Sequence, residues 1–219
     1  MTSADIVKLY HFVHCPYCIR VRLVLGYLKI QYESHVVRYD DVKCRLDLSG
    51  QTKLPFVIWP DFSVQPESLE IIERADSLDV LGVRKLKSSA DFINFEKFID
   101  FLGSHIHPLC WPYWVYTPEF DEKSRIYTIE KKQKFPGWFN EMFKRRFELM
   151  KELSPYLKKI ETELRPFYES STLGLKDVML AAHLWGLYTV PEFQFSEKIH
   201  SYLQNIKSHC DFDYQADFW

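Results

Sequence analysis

A chain of 219 residues with 47% hydrophobic content can bury a sizeable core, and its formal net charge of −2 gives no cationic excess of the kind that marks a nucleic-acid binder. Seven glycines and an aromatic share of 16% fit a helical, tightly packed protein. Five cysteines, an odd number, exclude a disulfide framework in a chain this long and point to a reducing, cytoplasmic setting. No window reaches the ~18 uninterrupted apolar residues of a membrane span. Residues 1–6 lack the basic and apolar regions of a secretory leader, so neither membrane nor export is expected.

The first third alternates strand and helix patterns. Residues 6–12, rich in Ile, Val, Leu, Tyr and Phe, read as a buried strand. The loop Val13-His14-Cys15 leads to a helix over 16–29 with Ile19, Leu23, Val24, Tyr27 and Leu28 as its stripe. A second strand is expected at 32–38, and a strand–helix–strand unit of this length implies a parallel pair with a right-handed crossover. Residues 40–53 are polar, with a weak helical pattern at best. Leu54-Pro55 leads into a third strand at 56–59, a turn at 60–62 and a short antiparallel partner at 63–65. Pro66-Glu67-Ser68 opens a helix that closes near Gly82.

Beyond residue 82 the strand signal disappears. A polar connector at 83–89 precedes a helix capped by Ser88 or Ser89, with Phe92, Phe95, Ile99, Leu102 and Ile106 on one face and its end at His105-x-His107 before Pro108. A helix is expected at 138–153, and Ser154-Pro155 supplies the cap and first turn of the next, whose face is Leu157, Ile160, Leu164 and Phe167. Residues 177–188 are apolar nearly all round, the mark of a central helix buried on every side. A last helix follows Ser196. The fold class is α/β plus all-α: an α/β domain at 1–80, a linker at 81–88 and a helical domain at 89–219.

The chemistry concentrates at Cys15-Pro16-Tyr17-Cys18. Cys15 stands at a helix start, where unpaired backbone N–H groups and the positive dipole end favour a thiolate. Pro16 suits the first helical position, and Cys18 lies nearly one turn on, within disulfide reach. A zinc site needs four ligands and a second pair, which the isolated Cys44, Cys110 and Cys210 do not supply, so no metal is expected. Those three read as packing or surface thiols.

These residues resemble the active site of dithiol glutaredoxins, placed after the first strand of a thioredoxin fold. Leu54-Pro55 resembles that fold's X-cis-Pro, and Glu67-Ser68 resembles the pair with which glutathione transferases hold the γ-glutamyl end of glutathione. With the long helical domain, the chain as a whole resembles the glutaredoxin 2 family, glutaredoxins built on the transferase architecture. Gly174-Leu-Lys-Asp177 departs from the hydroxyl-bearing capping box usual there.

The resemblance implies a glutathione-dependent thiol–disulfide oxidoreductase, acting as a monomer. Cys15 would be its nucleophile and Cys18 its resolving thiol. Glutathione is then the co-substrate, and disulfide-bearing or glutathionylated proteins are the partners. Tyr17, Lys53 (or Gln51), Leu54, Pro55, Glu67 and Ser68 would hold glutathione, supported by His14, Pro16 and Arg20, the last adding positive field near the thiolate. Two alternatives stand beside it: a glutathione transferase or dehydroascorbate-reductase-type enzyme, and a non-catalytic module of the same fold. Two stretches stay open. The aromatic run 109–116 favours packing at a domain interface over a cleft wall. Lys144-Arg145-Arg146 with Lys131, Lys132 and Lys134 favours a solvated face over an acidic partner's dock.

Overall fold

The computed structural model describes residues 6–214. Four strands form one mixed sheet, β1 (Val7–His11), β2 (Tyr32–Val36), β3 (Phe56–Ile58) and β4 (Val64–Pro66), in the order β2-β1-β3-β4. β1 runs parallel to β2 and antiparallel to β3, which is antiparallel to β4. The parallel β1–β2 pair is the one the alternation predicts, and the sheet is of the thioredoxin type that the resemblance implies. Between β1 and β2 lies α1 (Pro16–Tyr27), buried from Cys18 through Leu25 because α3 (Ser68–Ala75) and α9 (Leu175–Leu184) cover it. That burial is why its sequence shows so little amphipathic contrast. Gly26 is required where α1 meets the chain's far end: a Cβ there would fall 1.8 Å from the carbonyl oxygen of Cys210.

The polar stretch 40–53 holds a helix, α2 (Val42–Ser49). Its weak periodicity is offset by its ends. Asp41 accepts the Cys44 N–H at 2.9 Å, and Gly50 closes the helix in the left-handed region at φ 68°. The connector likewise contains a short helix, α4 (Val83–Lys87).

The helical part comprises α5 (Ala90–Trp114), α6 (Glu122–Lys132), α7 (Trp138–Lys144), α8 (Arg146–Glu163), α9, a 3-10 turn at Trp185–Thr189 and α10 (Glu197–His209). Three expectations are corrected here. α5 does not stop before Pro108 but continues through Pro108 and Pro112. A helix-interior proline costs about 3 kcal/mol, while each large apolar side chain buried beyond it returns ~1.5–3 kcal/mol. Leu109, Cys110, Trp111 and Trp114 are all buried there, and burial wins. By the same logic Ser154-Pro155 starts no helix, since α8 runs through Pro155 to bury Leu153 and Ile160, and the break falls instead at Arg145. α6, which no apolar stripe announces, begins at an Asp121 cap on the Ser124 N–H. α9 is buried on all sides as expected, though it gives way to the 3-10 turn after Leu184. Its missing hydroxyl matters little, because Asp177 still accepts the Gly174 N–H at 2.9 Å.

Candidate active site

Cys15 ends the loop after β1 and is the N-cap residue of α1, with Pro16 following it into the first turn. The Cys15 carbonyl accepts the N–H groups of Cys18 and Ile19, both at 2.9 Å. This geometry leaves the Cys15 sulfur half-buried at the cleft and turns Cys18 inward, fully buried, where the Phe12 N–H donates to its sulfur at 3.4 Å. Both thiols are free.

Their environments push the two apart. The Cys18 thiol hydrogen-bonded to the Cys15 sulfur holds the Cys15 pKa below its ordinary value, helped by the backbone N–H groups of Cys18 and Tyr17 and least by the Arg20 charge; burial opposes them. Burial drives Cys18 well upward, reinforced by the same hydrogen bond and by the Cys15 charge. One sulfur is readied for attack and the other is kept protonated behind it.

A cleft of about 550 Å³ opens over Cys15. It gathers His14, Pro16, Tyr17, Gln51, Lys53, Leu54, Pro55, Glu67 and Ser68 from three separate stretches of the chain. Cys18 and Arg20 lie outside its lining. The Leu54-Pro55 peptide is cis, and among the described residues neither the N–H nor the C=O of Leu54 has a hydrogen-bond partner. Lys53 is exposed on the rim. Glu67 stands at φ 62°, a conformation that costs a non-glycine residue about 1–3 kcal/mol and that places it at the mouth of α3. Ser68 behind it is buried.

Arg20 lends its charge to the Cys15 thiolate while being anchored to the start of α3. Its Nε donates to the Ser68 hydroxyl at 2.8 Å, its Nη2 donates to the same oxygen, and its guanidinium lies 4.6 Å from the centre of the Tyr17 ring. Its effect on the thiolate is therefore a minor one, exerted from beneath the cleft.

His14 is tied down by residues that no motif announces. Its Nδ1 meets the Tyr214 hydroxyl at 2.5 Å and its Nε2 meets Thr117 Oγ1 at 2.7 Å, with Glu119 Oε2 3.4 Å away. The ring stacks on Trp114 at 5.4 Å, and burial lowers its pKa to about 3, so it is neutral. Glu119 also accepts the Val13 N–H at 2.9 Å. The helical domain and the chain's end thus hold the loop that carries Cys15.

The opposite wall comes from α5 and α6: His107, Trp111, Trp114 and Lys132. Lys132 Nζ sits 5.3 Å over the Trp111 ring. Burial first, then the Lys132 charge, lowers His107 to about 4, while burial takes the adjacent His183 to about 3. The aromatic run 109–116 therefore does both things weighed for it, Leu109 and Cys110 entering the core while Trp111 and Trp114 face the cleft. Of the basic region, Arg145 pairs with Glu148 and Arg146 with Glu192, which leaves Lys132 as its contribution to the cleft. Burial raises the thiols of Cys110 and Cys210, the latter to about 12, as suits packing residues. Among the described residues no group of three or more His, Cys, Asp or Glu side chains is placed to hold a metal ion, and no helix is long and apolar enough to cross a membrane.

A thioredoxin-type sheet bearing a Cys-x-x-Cys pair at the start of α1, set against an all-helical domain, defines a thiol–disulfide oxidoreductase on the glutathione-transferase architecture. Comparison with known proteins narrows that class. Residues 94–214 match the family described as "Glutaredoxin 2, C terminal domain", and residues 9–80 match "Glutathione S-transferase, N-terminal domain". The chain is 27% identical to glutaredoxin 2 of Escherichia coli (strain K12) over 205 residues, covering 91% of this chain and 94% of that one. Its fold is similar to that of glutaredoxin 2 from Salmonella typhimurium in complex with glutathione, with a TM-score of 0.84, 23% identity and coverage of 97% and 98%. A glutathione transferase from Phanerochaete chrysosporium shares the fold at a TM-score of 0.75, with 14% identity and coverage of 95% and 98%. The chain belongs to the glutaredoxin 2 family.

Proposed function

We propose that the protein is a dithiol glutaredoxin in which Cys15 attacks and Cys18 resolves, with glutathione as the electron donor. The observation that carries this reading is the opposed poise of the two sulfurs, a half-buried Cys15 favoured as thiolate over a fully buried, protonated Cys18. Cys15 thiolate attacks one sulfur of a substrate disulfide, forming a mixed disulfide and expelling the other sulfur as a thiolate that takes up a proton. With a protein disulfide, Cys18 then loses its proton and attacks the Cys15 sulfur. This releases the second substrate thiol and leaves a Cys15–Cys18 disulfide, which two glutathione molecules reduce to give oxidised glutathione. With a glutathionylated protein, Cys15 takes the glutathionyl sulfur, and one further glutathione releases oxidised glutathione and restores the thiolate.

The cleft offers a group for each part of the tripeptide. The Glu67 carboxylate suits the γ-glutamyl ammonium. The Ser68 hydroxyl and the N–H groups opening α3 suit its carboxylate. The unpartnered N–H and C=O of Leu54 suit the cysteinyl peptide, as a neighbouring strand would. Lys53 or Gln51 takes the glycyl carboxylate, and Tyr17 flanks the backbone. The protein is proposed to act as a monomer, in the cytoplasm where glutathione is reduced.

Trapping tests the order of attack. Cys18→Ser treated with oxidised glutathione should carry one glutathionyl group, on Cys15, by mass spectrometry, while wild type should give the internal disulfide. No glutathionyl group on Cys15 in Cys18→Ser, or one trapped on Cys18 in Cys15→Ser as readily, would overturn the assignment. A transferase would instead conjugate an electrophilic aromatic substrate and keep that activity in Cys18→Ser.

A further inference from the structure

We propose that Arg20 is a positioning residue for glutathione: by occupying both acceptor positions of the Ser68 hydroxyl, it leaves that hydroxyl only as a donor into the cleft, preset for the carboxylate of the γ-glutamyl group. The inference rests on the glutathione reading of the cleft.

A serine hydroxyl has one hydrogen to give and two lone pairs with which to accept. Arg20 directs both Nε, at 2.8 Å, and Nη2 at the Ser68 oxygen. A guanidinium is always charged and has no lone pair to offer, so the direction of these bonds never reverses. Among the described residues no protein group accepts the Ser68 hydrogen. Ser68 is 3% exposed and lines the cleft, so that hydrogen has only the cleft to point into. A donor whose oxygen already accepts from a cation is polarised and binds an anion more strongly.

The charge balance agrees. Arg20 is 6% exposed and has no carboxylate at ion-pair distance among the described residues. A buried cation without a partner is costly unless an anion shares its surroundings. Here those anions are the Cys15 thiolate, the more distant Glu96 carboxylate and, once bound, the carboxylate of glutathione. The Tyr17 ring, three residues back on the same helix face, holds the guanidinium from the other side at 4.6 Å. Arg20 therefore links the sulfur that reacts to the site that holds the donor.

The test is steady-state kinetics with glutathione varied at saturating mixed disulfide, on wild type, Arg20→Gln, Arg20→Lys, Ser68→Ala, Ser68→Thr and the Arg20→Gln/Ser68→Ala double variant. Arg20→Gln and Ser68→Ala should each raise the KM for glutathione about tenfold, or ~1.4 kcal/mol, with kcat within about twofold. The double variant should be no worse than Ser68→Ala alone, because both remove one device. Ser68→Thr, which keeps the hydroxyl, should stay within about threefold of wild type. Arg20→Lys keeps the charge but not the two-toothed grip, and should raise KM several-fold; it carries the test if Arg20→Gln does not fold. An unchanged KM in the folded Arg20 variants, or losses that multiply in the double variant, would overturn the role of Arg20 while wild type still saturates with glutathione. Wild type showing no saturation with glutathione would instead overturn the reading of the cleft itself.

Discussion

Replacing Cys18 with alanine separates two roles that one residue plays. Cys18 is the resolving thiol in the proposed cycle, but its hydrogen bond is also the largest contribution favouring the Cys15 thiolate. Alanine removes that donor and leaves the backbone N–H groups of Cys18 and Tyr17, and the Arg20 charge, in place. One hydrogen bond to a charged acceptor is worth ~1.5 kcal/mol, or about tenfold in the thiolate fraction when the thiolate is the minor form. Serine at the same position keeps a donor, so its effect should be much smaller. The assay is alkylation of Cys15 by iodoacetamide across pH, read alongside thiolate absorbance in the ultraviolet. Cys18→Ala should react about tenfold more slowly on the acid side of the titration and converge with wild type at high pH. Identical profiles for wild type and Cys18→Ala would refute the claim that Cys18 poises its partner.

Three further outcomes concern the scaffold. Asp177 accepts from Tyr168 N at 2.7 Å, Gly174 N at 2.9 Å and the Tyr202 hydroxyl at 2.9 Å. Asp177→Ala strands these donors and should lower stability by about 3 kcal/mol in urea unfolding. Gly26→Ala would drive a Cβ into the Cys210 carbonyl oxygen at 1.8 Å and should cost more than ~2 kcal/mol, with Gly26→Ser no better. Acid should weaken the fold. His14, His107 and His183 have native pKa values of about 3, 4 and 3, below the ordinary 6.5, so the unfolded chain takes up protons first and stability falls as pH drops below 6.5. Asp177, raised from 3.8 to about 6 chiefly by burial, acts in the opposite sense and returns part of that loss. The net loss between about pH 7 and about pH 5.5 is ~3 kcal/mol, and equal or greater stability at the lower pH would contradict the neutral burial of these histidines.

The strands and their parallel first pair were legible because β1, β2 and β3 carry strand-forming runs around a helix of crossover length, and the cleft's floor was legible because Cys15, Leu54 and Glu67 stand in motifs. What escaped the sequence was set by partners far along the chain. α2 has almost no apolar face, and only Asp41 and Gly50 at its ends mark it. Pro108, Pro112 and Pro155 look like boundaries, but tertiary burial of their neighbours overrides the local signal. Thr117, Glu119 and Tyr214 hold His14 from 103 to 200 residues away, and nothing local to them announces it. The resemblance set Arg20 near the thiolate; its hydrogen bonds to Ser68, 48 residues on, could be seen only once α1 and α3 were packed together. Trp111 and Trp114 face the cleft because α5 continues past the expected stop.

The most direct measurement is the reduction of a glutathione mixed disulfide, coupled to glutathione reductase, by wild type, Cys15→Ser and Cys18→Ser. Wild type should turn over, Cys15→Ser should be inactive, and Cys18→Ser should retain activity, because releasing glutathione from a mixed disulfide requires only the first sulfur. Full activity in Cys15→Ser would contradict the account at its centre.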